Sequence, residues 1–302
     1  MDIRFDGKTV IVAGAARGIG RAIVRAFAAD GASVLACDRL VGEIEPGDRI
    51  QALMVDVTDP SSIDAIVKQG GGRIDVLVYV AGGVLGQQPK PIEEVAPDDF
   101  AAIVDANLKG CFLFARAVAP GMKKAGVGRI VTISSRAGLS TSLTGIQAYA
   151  SAKHGQVGLV KQLAQELGPF GITVNSVAPG FMATSPDYER QWNSYSEEFR
   201  RTFADRIAMR RMGRPEDIAD AVARLAPGHT ADRLAAVAQL VGLVIRIEGQ
   251  CHGAARAVLP RLGPVALAGA HLVDQLLPVR VGPLPGLQLR RRGMGVGHDD
   301  LL

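Results

Sequence analysis

Six short β-branched runs, most of them separated by stretches of helical periodicity, constrain this chain more than any other feature. The runs fall at 10–12, 33–35, 52–55, 76–78, 130–133 and 172–174. They are nearly continuously apolar, as strands buried on both faces must be. Between them, apolar residues recur at helical spacing over 19–29, 100–124 and 152–167. Strand–helix–strand repetition at this rhythm predicts an α/β fold, a doubly wound parallel sheet with helices on both faces. The connection from the second run to the third carries Pro46-Gly47 and little periodicity, and reads as a loop.

Composition narrows the function classes. Of 302 residues, 48% are apolar, enough for a full core. The net charge of +4 is small, and lysines and arginines are interspersed with acids, which argues against nucleic acid as a partner. Cys37, Cys111 and Cys251 lie far apart with no metal-ligand spacing, so no metal is expected and a reduced cytoplasmic setting fits best. The acidic start, Met1-Asp2-Ile3-Arg4-Phe5-Asp6, does not read as a signal peptide. The longest apolar stretch, 234–247, is too short to span a bilayer and contains Gln239, so no membrane is expected.

From about Arg224 the texture changes. No aromatic residue follows Phe203, no lysine follows Lys161, and four of the five histidines lie at 229 and beyond. Pro260, Pro264, Pro278, Pro283 and Pro285 cut this tail into short pieces. The expected organisation is therefore a catalytic domain over 1–225 and an atypical tail over 226–302.

Chemistry concentrates in three places. Directly after the first strand comes Gly14-Ala15-Ala16-Arg17-Gly18-Ile19-Gly20. Gly14 permits a tight turn, while Gly18 and Gly20 let backbone approach a phosphate and let the helix pack on the sheet. The helix N-terminus then offers its unpaired N–H groups to an anion. A glycine-rich turn alone would fit an ordinary βα connection equally well, and its place near the N-terminus after a strand favours a dinucleotide. Asp38 ends the second strand, where a carboxylate accepts from an adenosine ribose and repels a 2′-phosphate. Arg17 and Arg39 are the counterweight, since either suits a 2′-phosphate. NAD is favoured over NADP on this basis. Finally, Tyr149 and Lys153 are four apart and share one helix face. A nearby ammonium is expected to lower the phenol from its ordinary value of about 10. Ser135 closes a strand, where its hydroxyl suits the oxygen of a reacting alcohol or ketone, although serines there are commonly turn residues.

In this order, these residues resemble the classical short-chain dehydrogenase/reductases over 5 to about 225. The likeness extends to Asp56-Val57 after the third strand and Ala81-Gly82 after the fourth. It continues through Asn107 in a long helix, Asn175, Pro179-Gly180, Thr184, and Arg214-Pro215-Glu216-Asp217 opening a late helix. The resemblance implies a Rossmann-type NAD-binding domain that interconverts a secondary alcohol and a ketone. Tyr149 would be the acid/base, Lys153 its electrostatic helper and ribose anchor, and Ser135 the group that positions the substrate oxygen. Asn107 would hold a relay water. Gly14, Arg17, Gly18, Ile19, Gly20, Asp38, Asp56, Val57, Ala81 and Gly82 would contact the cofactor, with Pro179, Gly180 and Thr184 at its nicotinamide. The helices over 100–124 and 149–167 would pair between subunits, giving a homodimer or homotetramer.

Three departures stand out. Ala13 replaces a usual Thr. Tyr79-Val80 replaces a usual Asn-Asn, so a hydrogen bond bracing the central strands must be absent or replaced. Beyond Arg224 nothing resembles the family's final apolar strand near Asp-Gly-Gly. An altered reading frame or a lineage-specific extension would each produce such a tail. The other two frames of the coding DNA past codon 224 discriminate between them.

Tyr188, Trp192, Tyr195, Phe199 and Phe203 fall at steps of four, three, four and four, one helical stripe where the family places its substrate lid. Read as lid, Tyr188 and Trp192, with Leu85 opposite, wall the site and favour a hydrophobic alcohol or ketone. Read otherwise, the stripe packs on the domain body. Two rival functions remain: an NADPH-dependent 3-oxoacyl-thioester reductase, and a catalytically crippled dinucleotide-binding protein.

Overall fold

The computed structural model describes residues 3–182, 184–226 and 244–247, the last as backbone. Seven strands form one parallel sheet in the order β3-β2-β1-β4-β5-β6-β7. They are β1 Thr9–Ala13, β2 Ser33–Asp38, β3 Ile50–Met54, β4 Val76–Tyr79, β5 Gly128–Ile133, β6 Ile172–Pro179 and β7 Val244–Ile247. The first six match the six β-branched runs, with the edges moved by a few residues.

Alternation along each strand sends side chains into two cores. Val10, Val12, Val34, Val78, Val131 and Val177 face one side with Ile23 and Phe27 of α1 (Gly18–Ala29) and Ile218 and Val222 of α8 (Pro215–Leu225). Ile11, Leu35, Leu77, Ile130 and Val174 face the other. There they meet Ile63 of α2 (Pro60–Gln69), Phe114 of α4 (Gly110–Ala125) and Val160 of α5 (Gln147–Leu167). The chain winds one way from β1 to β2 and the other way from β1 to β4. The crevice that this reversal opens at the carboxyl ends of the strands is where such sheets bind ligands.

The helix expected over 100–124 is interrupted. Residues Pro97–Val104 form α3, and Asp105–Lys109 form a π turn before α4. Single π turns occur often at functional sites. Here side chains from distant elements serve the carbonyls of the turn. The Tyr79 hydroxyl donates to Ala106 O at 2.6 Å and the Gln156 amide to Asn107 O at 3.4 Å. Tyr79 thus supplies a different brace, running from β4 to the helix rather than between strands. Tyr79→Phe leaves a buried carbonyl without its donor and is expected to cost ~1–3 kcal/mol of stability. Urea unfolding measures this, and a loss within error of zero would show the brace to be idle.

The sheet also includes a strand beyond Arg224, where the sequence shows nothing like the family's final apolar strand near Asp-Gly-Gly. β7 pairs parallel with β6, with Ser176 opposite Val244 and Pro179 opposite Ile247. The run Val-Ile-Arg-Ile, followed by Glu248-Gly249, is short and carries an arginine, so it does not announce itself as a buried strand. Apart from Ala226 and β7, the tail over 226–302, and with it the question of reading frame, falls outside the described residues. Among the described residues no helix is long and apolar enough to cross a membrane.

Candidate active site

The glycine turn is built by close backbone packing. Gly14 has φ +89°, and a Cβ on it would stand 2.6 Å from Ala81 N, so the β1 and β4 ends meet through it. A Cβ on Gly20 would stand 1.8 Å from Gly14 O. Arg17, at the N-cap of α1, makes no side-chain cap, and the first turn of the helix contains no acid. The first N–H groups of α1 therefore face the crevice without an internal anion, as a pyrophosphate site requires. Asp38 stands beside them. Its Oδ2 accepts from Ala16 N and its Oδ1 from Leu40 N, both at 3.0 Å, so the carboxylate is fixed at the end of β2. Arg17 is held in a fork by Glu43, at 2.6 and 2.5 Å. Asp56 accepts from Thr58 N at 2.8 Å, a backbone bond that holds its carboxyl below the usual range. These features fit a nicotinamide dinucleotide.

Ser135 follows β5, and its Oγ accepts from Ala137 N at 3.1 Å, which fixes the turn that presents it. Tyr149 and Lys153 lie one turn apart at the start of α5, both buried. The Lys153 Nζ donates to Ile133 O at 2.8 Å and to Gln156 Oε1 at 3.4 Å, and lies 5.8 Å from the centre of the Tyr149 ring. Burial pulls the ammonium down from 10.5 to about 8. It also pushes the Tyr149 phenol above its ordinary value, against the opposing hydrogen bonds of Tyr188 and Ser135. The expectation that Lys153 lowers the phenol is therefore corrected for the protein alone. In a dry site both charged forms are disfavoured, and the ammonium is committed to a backbone carbonyl and an amide.

Asn107 is wholly buried and clamps the loop after β4. Its Oδ1 accepts from Gly83 N at 2.9 Å, and its Nδ2 donates to Gly83 O at 2.9 Å and Ile103 O at 2.8 Å. Both amide hydrogens of Asn107 are thus donated within the protein, and its main-chain carbonyl accepts from the Gln156 amide at 3.4 Å.

The aromatic stripe forms two helices rather than one. α6 (Pro186–Ser194) ends at Tyr195, and Ser196 caps α7 (Glu197–Phe203) by accepting from Phe199 N at 3.2 Å. Phe181 organises the cluster. Trp192 stacks on it at 5.6 Å between centroids and 24° between planes, while Tyr188, Tyr195 and Phe203 meet it edge-on. Three contacts fasten α6 over the crevice. Gly86 N donates to Asp187 Oδ2 at 3.1 Å, Gln191 Nε2 to Leu143 O at 3.1 Å, and the Tyr188 hydroxyl to the Tyr149 hydroxyl at 3.0 Å.

A cleft of about 1000 Å³ joins these parts. Its walls include Gly14, Arg17, Gly18, Ile19, Gly20 and Asp38 at one end. Asp56, Val57, Ala81, Gly82 and Leu85 follow, and then Ser135, Tyr149, Lys153, Pro179, Gly180, Thr184 and Tyr188. Asn107 and Trp192 stand behind the wall, acting on it through Gly83 and Phe181. Sequence reading did not single out Gln156, Phe181 or Gln191. Gln156 offered a signal, a polar residue on the same buried helix face as Lys153. The other two offered none, since the contacts that bring them to the site, Phe181 with Tyr188 and Trp192 and Gln191 with Leu143, reach other elements.

A family model described as short chain dehydrogenase matches residues 8–193. A 3-oxoacyl-[acyl-carrier-protein] reductase, FabG, of Thermotoga maritima is 36% identical over 259 residues, covering 82% of this chain and 98% of that protein. Oxidoreductase UcpA of Escherichia coli K12 is 37% identical over 238 residues, covering 74% and 89%. Among solved structures, a 7α-hydroxysteroid dehydrogenase complexed with NADH and 7-oxo glycochenodeoxycholic acid superposes with a TM-score of 0.68. It shares 30% identity and covers 83% of this chain and 96% of that one.

Proposed function

Because the chain belongs to the short-chain dehydrogenases and is an oxidoreductase of that family, we propose that it interconverts a secondary alcohol and a ketone with NAD(H), Tyr149 acting as acid/base. The observation that carries this reading is the cleft itself, which runs from the uncapped N-terminus of α1 to the Ser135, Tyr149 and Lys153 side chains. A bound nicotinamide supplies or accepts the hydride. The chain's own residues do the rest. Ser135 and Tyr149 receive the substrate oxygen, and Tyr149 gives that oxygen its proton in reduction or removes it in oxidation. Lys153 holds the end of the cleft at which a ribose would lie, and the lid excludes water.

NAD is favoured by Asp38, fixed at the β2 end, and by Glu43, which occupies the Arg17 guanidinium; Arg39, the other arginine that suits a 2′-phosphate, lines the same cleft. Leu85, Leu143 and Tyr188, backed by Phe181, support a hydrophobic substrate. Phe112 of α4, 45% exposed, and Phe100 of α3 support a homodimer or homotetramer built through these helices. The buried thiols of Cys37 and Cys111 suit a cytoplasmic setting.

The name of the Thermotoga maritima relative favours a second reading, reduction of a 3-oxoacyl thioester with NADPH. Reduced-nicotinamide absorbance, followed with NADH and NADPH against secondary alcohols, hydrophobic ketones and a 3-oxoacyl thioester, separates the two. Turnover of ketones with NADH is expected. Turnover confined to NADPH and the thioester would establish the second reading, and binding without any turnover would favour an inactive protein.

A further inference from the structure

Tyr188 was read from the sequence as part of an apolar wall, but its hydroxyl does something a wall does not. It donates to the Tyr149 oxygen at 3.0 Å, the atom that exchanges the proton. The ring is held edge-on to Phe181, 6.1 Å between centroids, and the helix that carries it is fastened on either side of Tyr188 by Asp187 and Gln191. The hydroxyl is therefore positioned by the lid and not by chance rotation.

We propose that Tyr188 is a further catalytic residue, a second phenol that the lid places on Tyr149 to hold the anionic oxygen formed when Tyr149 gives up its proton. This rests on the acid/base reading of Tyr149. In reduction, the O–H bond of Tyr149 breaks, the proton goes to the substrate oxygen, and the electron pair stays on the Tyr149 oxygen. Tyr188 keeps its own proton and donates a hydrogen bond to that pair. Charge-assisted hydrogen bonds of this kind are about twice as strong as neutral ones. Lys153, on α5, does not hydrogen-bond the Tyr149 oxygen in the protein alone, since its donors go to Ile133 and Gln156. Asp187 acts on Tyr188 by its charge, while Arg136, on the turn after β5, lines the same cleft and acts on Tyr195. Cys111 of α4 faces Lys153 from behind.

The substitution Tyr188→Phe keeps the ring against Phe181 and removes only the hydroxyl. With four tyrosines in the chain, ionisation of Tyr149 can be isolated by ultraviolet difference titration without cofactor. The wild type is subtracted against Tyr149→Phe, and Tyr188→Phe against the double variant. The expected result is Tyr149 ionising about one pH unit higher without the Tyr188 hydroxyl. In alcohol oxidation, where Tyr149 must be ionised to take the proton, kcat should fall about ten-fold near neutral pH and recover toward alkaline pH, with KM for the alcohol within two-fold. An unchanged titration and pH profile would overturn the proposal. So would a fall in KM at constant kcat, which would make the hydroxyl an occupant of the substrate's place. A wild type with no turnover would count against the acid/base reading, while the titration would still decide whether Tyr188 acts on Tyr149.

Discussion

Tyr149→Phe is expected to reduce turnover by ~10²–10⁴-fold, the range that a positioned acid/base contributes. The substitution removes one oxygen from a side chain that is 4% exposed, and that oxygen meets the Tyr188 hydroxyl. The backbone of α5, the Lys153 contacts to Ile133 and Gln156, and the glycine turn are untouched. Dinucleotide binding should therefore stay within a few-fold of wild type, and the loss should fall on kcat. Steady-state kinetics with an equilibrium cofactor titration measures both. Full turnover in the variant would remove the acid/base role, whatever the sequence resemblance.

The second large effect is expected at Gly20→Ala. Two opposing contributions act there. Alanine in a helix is favoured over glycine by about 1 kcal/mol. Against that, the new Cβ would stand 1.8 Å from the Gly14 carbonyl oxygen, with Ala15 Cα at 3.1 Å. Backbone cannot rotate away as a flexible side chain can, so α1 must lift off the turn and carry its N–H groups from the crevice. Overpacking of this kind costs ~1–3 kcal/mol and sometimes more. The steric effect should win, giving a net loss of ~2 kcal/mol or more, together with loss of dinucleotide binding. Gly42→Ala is the control, because nothing lies within 4 Å of a Cβ there. Denaturant unfolding and cofactor titration of both variants test this. A stable, binding Gly20→Ala protein would mean that the close approach of helix and turn is not required.

The parts legible in the sequence are those governed by short repeats. Continuous β-branched runs located six strands, helical spacing put Tyr149 and Lys153 on one face, and the glycines marked the first turn. Each signal spans a few residues, and each reflects local geometry. Contacts between elements far apart in the chain carry no such period. The Tyr188–Tyr149 bond spans 39 positions and the Tyr79–Ala106 bond 27, so neither leaves a mark in its neighbourhood. The break between α6 and α7 hides within an unbroken aromatic rhythm because the first helix ends on an aromatic, Tyr195, and the cap that starts the second, Ser196, falls between two aromatic positions. Strand β7 is four residues long and is recognisable only by its pairing with β6. Local sequence signals therefore determined the layers, the glycine turn and the shared helix face of Tyr149 and Lys153. Packing across the crevice alone decided what touches the Tyr149 oxygen, because burial and hydrogen-bond partners exist only once distant segments have met.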